Sequence, residues 1–168
     1  MLFGTTDKKI LEIGCGDKKQ FTDSITLDIR RTPVVDIICD AHNLPIKTES
    51  VDYIYSSHTI EHFSHTDIQR VLAEWCRALK TGGTLELRCP DLRARALLFS
   101  LNPSWGDIAN IYGGQDYPEN THKCGFSYSM LKVLLTSIGI EKVKRIYDGY
   151  KGIPFLPSDL HVIGNKRY

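Results

Sequence analysis

LEIGCGDKKQFTDSITLDI, residues 11–29, places two short apolar runs on either side of a glycine pair. The first run enters Gly14-Cys15-Gly16, and only eleven residues separate Gly16 from Asp28 in the second. A glycine pair at a strand end lets backbone approach a ligand closely, because no Cβ intervenes. A triphosphate-binding loop would need G-x-x-x-x-G-K-[ST], and that spacing is absent. A dinucleotide fingerprint would need G-x-G-x-x-G, its third glycine allowing a helix to pack tightly on the strand. Position 19 is Lys, and Asp17 to Asp23 leave room for a stunted helix at most. What else such a loop could hold depends on the rest of the chain.

The bulk numbers narrow the classes. A chain of 168 residues fits one domain with a genuine core. It is 42% hydrophobic and 24% charged, which marks neither disorder nor a membrane span. A formal net charge of +1 provides no global field to recruit nucleic acid or an anionic membrane, so neither partner is favoured. The five cysteines (15, 39, 76, 89 and 124) form no C-x-x-C pair, and three lie in apolar runs, against a disulfide framework or structural zinc. The start, MLFGTTDKKILEIG, turns charged at Asp7 before a signal or anchor could form. The expectation is a reduced, cytoplasmic protein.

Strand-like runs recur at 9–14, 24–29, 35–39, 51–57 and 84–89, each bounded by Gly, Pro, Asp or Asn. Ile68, Val71, Leu72, Trp75 and Leu79 follow a helical period; Thr66 with Gln69 predicts a capping box, and Gly82-Gly83 the stop. A second helix is expected at 92–100. A third is expected at 128–138, with Ser127 as N-cap, Gly139 as terminator and Met130, Leu131, Leu134, Leu135 and Ile138 on one face. Strands at 141–147 and 159–164 close the chain. Strand–helix alternation favours a parallel sheet covered by helices. Only Arg30 to Val34 join the second and third strands. A parallel crossover normally takes about a dozen residues, so either the third strand is short and without a helix or its pairing is irregular.

LEIGCG, TLDI, IICDAHNLPIKTESVDYIYSSHTIEHF (37–63) and LKTGGTLELRCPD (79–91) together resemble the class I S-adenosylmethionine-dependent methyltransferases of the "methyltransferase type 11" pattern. The likeness runs in register over roughly residues 8–92. The shortened link after GCG, Ile111 to Gln115, and Asn120, His122, Gly125 and Phe126 resemble a compact subgroup of predicted methyltransferases. The resemblance implies an α/β, Rossmann-like sandwich over residues 1–168, with a mostly parallel sheet in the order 3-2-1-4-5-7-6. Helices around strands 1–3 would be shortened or missing. It implies S-adenosyl-L-methionine as cofactor. Gly14, Cys15 and Gly16 would approach its methionine part and Glu12 its amino group, while Asp28 would accept from the ribose hydroxyls. Asp40 and the Ala41 amide would read the adenine, Ile29 and Leu44 would sandwich it, and Ser56, Ser57 and His58 would face the methyl group.

HTIEH, residues 58–62, also matches the H-x-x-E-H zinc signature. It follows a buried strand, however, and the same letters are common here in the resembled family, so no metal is expected. His58 and His122 are instead the candidates for proton handling, with Glu61 and His62 behind them. Phe63 and Trp75 are expected in the core. Residues 103–126 show no clear periodicity and are expected as a substrate-side loop. Tyr112, Gln115, Tyr117 and Asn120 on it, with Arg88, would contact the acceptor.

The expected function is methyl transfer to a small-molecule or saccharide acceptor. Its rivals are a catalytically silent cofactor-binding subunit of a partner enzyme, and lyase or aminopropyl chemistry with the same cofactor. With helices beside the cofactor missing, a homo-oligomer or partner subunit could close the cleft.

Overall fold

In the computed structural model, which describes residues 8–147 and 159–167, seven strands form one sheet. They are β1 (Ile10–Ile13), β2 (Ile25–Asp28), β3 (Ile37–Ile38), β4 (Val51–Ser57), β5 (Leu79–Pro90), β6 (Ile140–Arg145) and β7 (Asp159–Lys166). Their order is β3-β2-β1-β4-β5-β7-β6, as expected. The first five pair in parallel, and β7 runs antiparallel to both β5 and β6.

Strand alternation separates two faces. Leu11, Ile13, Leu27, Ile54, Leu85, Leu87 and Val162 fall on one face by register, and all are buried. Helix α1 (Ile68–Ala78) lays Val71, Leu72 and Trp75 into the same core, and α4 (Tyr128–Ser137) adds Leu131 and Leu135. The opposite face presents Glu12, Thr26, Tyr55 and Glu86 in one row. No helix joins β1 to β2 or β2 to β3. The loop after β1 lies against the polar face instead, where Phe21 meets the edges of Tyr53 and Tyr55 at 5.8 and 5.5 Å. The narrow link from Arg30 is thus resolved: β3 is a two-residue parallel strand with no helix before it.

Several local expectations are corrected. Thr66 forms no capping box: Asp67 precedes α1 without a side-chain cap, and Ser64 Oγ accepts from Asp67 N at 3.2 Å. Gly82-Gly83 do not stop the helix. The chain passes into β5 at Leu79, which pairs with Val51, and the glycines fall inside β5 where its register with β4 shifts. Met130 points outward, so α4 buries a narrower stripe than its sequence suggests. The 103–126 segment is not all loop. Trp105–Tyr112 form α3, whose N-cap Ser104 accepts from Asp107 N at 3.1 Å. Helix α2 (Leu92–Leu101) is capped by Asp91, and Ser127 caps α4 as expected. Among the described residues, no helix is long and apolar enough to cross a membrane.

Candidate active site

A cleft of about 630 Å³ opens over the ends of β1, β2 and β4, with α3 and residues 113–123 on its far side. That volume is in the range of small-molecule sites. The glycine loop forms its floor. Gly14 (φ 71°) donates to Leu27 O at 2.7 Å, and a Cβ there would overlap the Thr59 side chain. Gly14 therefore serves the packing of the 59 turn as well as the approach of a ligand. A Cβ at Gly16 (φ 58°) would only touch the Arg30 guanidinium at 3.6 Å, and the Gly16 N–H donates to Asp28 Oδ2 at 2.8 Å. The other Asp28 oxygen accepts from Arg30 N at 2.9 Å. Each oxygen keeps a lone pair for a diol.

Gly14, Cys15, Gly16, Asp28, Ile29, Asp40, Ala41 and Ser57 all line this cleft, as the sequence predicts. Asp40 Oδ1 accepts from the His42 amide at 2.9 Å and faces its Nδ1 at 2.5 Å. Burial pushes Asp40 up, but these His42 contacts outweigh it and hold the carboxyl below its ordinary range. Burial, followed by the charges of Asp28 and Glu12, pushes the Cys15 thiol up to about 11.

Three residues expected at the cofactor do not line this cleft. Glu12, 2% exposed, accepts from Gln20 N and Phe21 N, both at 2.8 Å, and from the Ser24 hydroxyl. It thereby organises the loop that stands where a first helix would be, and it lines an adjoining cavity of about 200 Å³ that shares Gly14, Cys15 and Ser57 with the cleft. Leu44 is buried in the core and does not line the cleft. Phe63 is on the cleft wall with Ala41, edge-on to His42 at 5.0 Å, although its apolar setting reads as core in sequence. Ser56 donates to Ile13 O at 2.8 Å and ties β4 to β1.

Both histidines expected to handle protons reach the cleft. His58 leaves β4 with φ 52°, its amide donating to Arg88 O at 2.9 Å. The Glu61 carboxylate, 3.3 Å from His58 Nδ1, raises His58 above its ordinary value; burial opposes this, and Asp159 adds to it. Burial holds His122 below its ordinary value against the pull of Glu61. Glu61 lies on a 3₁₀ turn, Ile60–His62. Tyr117 and Asn120 line the cleft, and Arg30 covers the Tyr117 ring at 4.7 Å, linking the cap to the glycine-loop side. Tyr112, Gln115 and Arg88 do not line it. Tyr112 is largely exposed, the Gln115 amide folds back toward Tyr112 O at 3.3 Å, and Arg88 stands on β5 opposite Ser57 and His161. Arg30, His42, Asn110 and Glu119 also line the cleft. The first two adjoin strand-end residues already singled out, which was the available signal; Asn110 and Glu119 had none.

Residues 20–87 match the model of the methyltransferase domain family. No curated protein sequence matches the chain. Among solved structures, it is similar to a SAM-dependent methyltransferase from Archaeoglobus fulgidus, with a TM-score of 0.67 and 18% identity over 95% of this chain and 86% of that one. The chain has the class I methyltransferase fold. A second methyltransferase-fold structure, from Thermotoga maritima and described as a possible histamine N-methyltransferase, gives a TM-score of 0.62 and 22% identity over 95% and 83%. The CurJ carbon methyltransferase gives 0.64 and 17%, with 96% of this chain covered and only 49% of that one, so the methyltransferase fold here spans about half of CurJ. The family match and the fold imply S-adenosylmethionine as cofactor. The cleft fits it through the Asp28 lone pairs, the Oδ2 atom that His42 leaves on Asp40, and the apolar walls at Ile29 and Phe63.

Proposed function

We propose that the chain transfers a methyl group from S-adenosylmethionine to a small-molecule or saccharide acceptor. One observation carries this reading: the strand-end residues matched to the cofactor share a single cleft with His58 and His122. When bound, the cofactor supplies a methyl carbon activated by the adjacent sulfonium. Asp28 holds the ribose diol, and Asp40 with the Ala41 amide orients the adenine between Ile29 and Phe63. The Gly14–Gly16 backbone and Ser57 fix the methionine part. Much of the acceleration in such an in-line displacement comes from this positioning.

The acceptor enters from the α3 side, where Tyr117, Asn120, Asn110 and Glu119 offer donors and acceptors suited to a hydroxyl-rich molecule. Its proton leaves toward the cluster of His58, Glu61 and His122. Histamine, the possible acceptor of the Thermotoga maritima relative, is also of small-molecule size. Leu101 and Trp105, 71% and 88% exposed where α2 gives way to α3, support a second copy or a partner subunit that closes the cleft.

The test is a calorimetric titration of the full chain with S-adenosylmethionine and S-adenosylhomocysteine, with NADH as control. Micromolar binding of both sulfur cofactors is expected, with a loss of at least about 100-fold in Asp28→Ala, as two charge-assisted hydrogen bonds disappear. Binding of NADH instead would refute the assignment. Turnover with an acceptor must release S-adenosylhomocysteine; methylthioadenosine would mean aminopropyl or lyase chemistry, and binding without turnover would favour a silent subunit.

A further inference from the structure

We propose that Glu61, His62 and His122 bind a divalent first-row transition cation, Zn²⁺ foremost, at the acceptor end of the cleft. Glu61 is 1% exposed, and among the described residues neither carboxylate oxygen has a hydrogen-bond partner. Buried carboxylates in folded proteins are bonded, paired or bound to metal, because desolvation of a lone one is expensive. The backbone leaves Glu61 little freedom to escape. Its carbonyl accepts from Lys123 N at 2.8 Å and from Cys124 N at 3.1 Å, stapling the 3₁₀ turn to the segment that carries His122.

The two imidazoles are prepared as ligands. His62 Nδ1 lies 3.1 Å from Thr121 O, and His122 Nδ1 lies 3.3 Å from Ile111 O. A carbonyl only accepts, so each Nδ1 carries the hydrogen and each Nε2 keeps its lone pair. That is the outer-shell pattern that fixes metal-binding histidines. His122 Nε2 is 4.0 Å from Glu61 Oε1, and the ligand atoms of all three residues lie within 4.8 Å of one another. Tetrahedral zinc, with bonds of ~2.0–2.1 Å, places its ligands about 3.4 Å apart. Small side-chain rotations close that difference. His58 Nδ1 lies 3.3 Å from the same Glu61 oxygen and helps to orient the carboxylate. His62 and His122 both line the cleft, so the fourth position faces the acceptor.

This is not the arrangement that H-x-x-E-H prescribes. There both histidines of the motif bind metal and the glutamate acts as base. Here Glu61 is a ligand and the second histidine comes from residue 122. Two nitrogens and one carboxylate favour Zn²⁺, Co²⁺ or Fe²⁺ over Mg²⁺ and Ca²⁺. The catalytic consequence rests on the methyl-transfer reading. The cation holds the acceptor's hydroxyl oxygen and makes its proton more acidic. The proton passes to His58 or water, the oxygen–methyl bond forms as the sulfur–methyl bond breaks, and the cation leaves the cycle unchanged.

The test uses the full chain stripped with chelator, then titrated with Co²⁺ and Zn²⁺ by equilibrium dialysis with metal analysis, with Mg²⁺ as control. One Co²⁺ per chain is expected, with visible d–d bands and no thiolate-to-cobalt charge-transfer band. Glu61→Gln and His122→Ala each weaken binding by at least about 100-fold. If the Glu61 variant fails to fold, His62→Ala, at the cleft surface, tests the same ligand set. Absence of stoichiometric Co²⁺, a thiolate band, or full-strength binding in the His62 and His122 variants overturns the proposal. Titration of the same samples with S-adenosylhomocysteine reads the cofactor site separately: Asp28→Ala loses the nucleoside and keeps the metal.

Discussion

Two glutamates among the described residues are almost fully buried, one beneath each half of the cleft, and the molecule treats them in opposite ways. Glu12, under the glycine loop, accepts from two backbone amides and a hydroxyl. Glu61, under the acceptor side, has no hydrogen-bond partner among the described residues for either oxygen. The glycine-loop half is completed by its own chain: Gly16 and Arg30 amides close on Asp28, and Thr32 Oγ1 donates to Gly16 O at 2.8 Å. The acceptor half is assembled from 58–62 and 109–123, distant in sequence, and where they meet it keeps a carboxylate whose ion-pair neighbours among the described residues are histidine rings. A satisfied buried carboxylate is architecture; an unsatisfied one implies a ligand that answers it.

The comparison breaks most visibly at Gly14. Gly14→Val puts a β-branched residue at φ 71° and drives its side chain into Thr59. Strain of about 1–3 kcal/mol and overpacking of about 1–3 kcal/mol more would consume a large part of a typical stability of about 5–15 kcal/mol. Urea unfolding should show this; an unchanged midpoint would mean that the loop is looser than its hydrogen bonds imply. Next comes Cys15, which lines an open cleft yet should be sluggish. With its thiol at about 11, against an ordinary 9.0, the thiolate fraction at pH 8 falls about 100-fold. Alkylation followed by mass spectrometry should be slow at pH 8 and accelerate as pH approaches 11. Ordinary reactivity at pH 8 would show that burial and the neighbouring carboxylates do not hold this thiol up.

How much of this was legible in sequence follows the same division. Strand order and the glycine-loop half could be read because their residues sit at or beside the ends of apolar runs, where period and turn chemistry place them. Asp28 and Asp40 needed only strand register. Leu44 is in the core and Phe63 on the cleft wall, the reverse of the expectation, because both are apolar near β4 and only packing decides which faces the cleft. The bonds that Glu12 makes to its own loop were not legible, because its three donors come from a segment with no regular structure of its own. Helix α3 was missed because WGDIANIY is short and buries none of its residues. The capping box at Thr66 lost to a local bond between Ser64 and Asp67. The isolation of Glu61 could not be read at all, since it depends on how a turn at 60–62 meets a cap some sixty residues later.

The smaller effects concern the two glutamates themselves. Glu12→Gln retains one acceptor oxygen and turns an NH₂ toward backbone donors, leaving a buried N–H unpaired. A loss of about 2 kcal/mol is expected, with weaker cofactor binding as the loop loosens. Glu61→Gln should behave differently, although it makes the same chemical change at equal depth. Among the described residues no hydrogen-bond donor loses its partner, His58 and His122 lose the pull of the carboxylate, and a costly buried charge disappears. The neighbouring His58 ring is half-exposed and can be solvated without it. In chelator the Glu61 variant should match the parent or gain up to about 1 kcal/mol in urea unfolding. With Zn²⁺ at about 100 times its dissociation constant the order should reverse, because binding then stabilises only the parent, by about 2.7 kcal/mol. If the variant is instead less stable in chelator, Glu61 has a partner in the folded chain and the contrast between the two halves fails. If Zn²⁺ leaves the order unchanged, the buried charge is not answered by a cation.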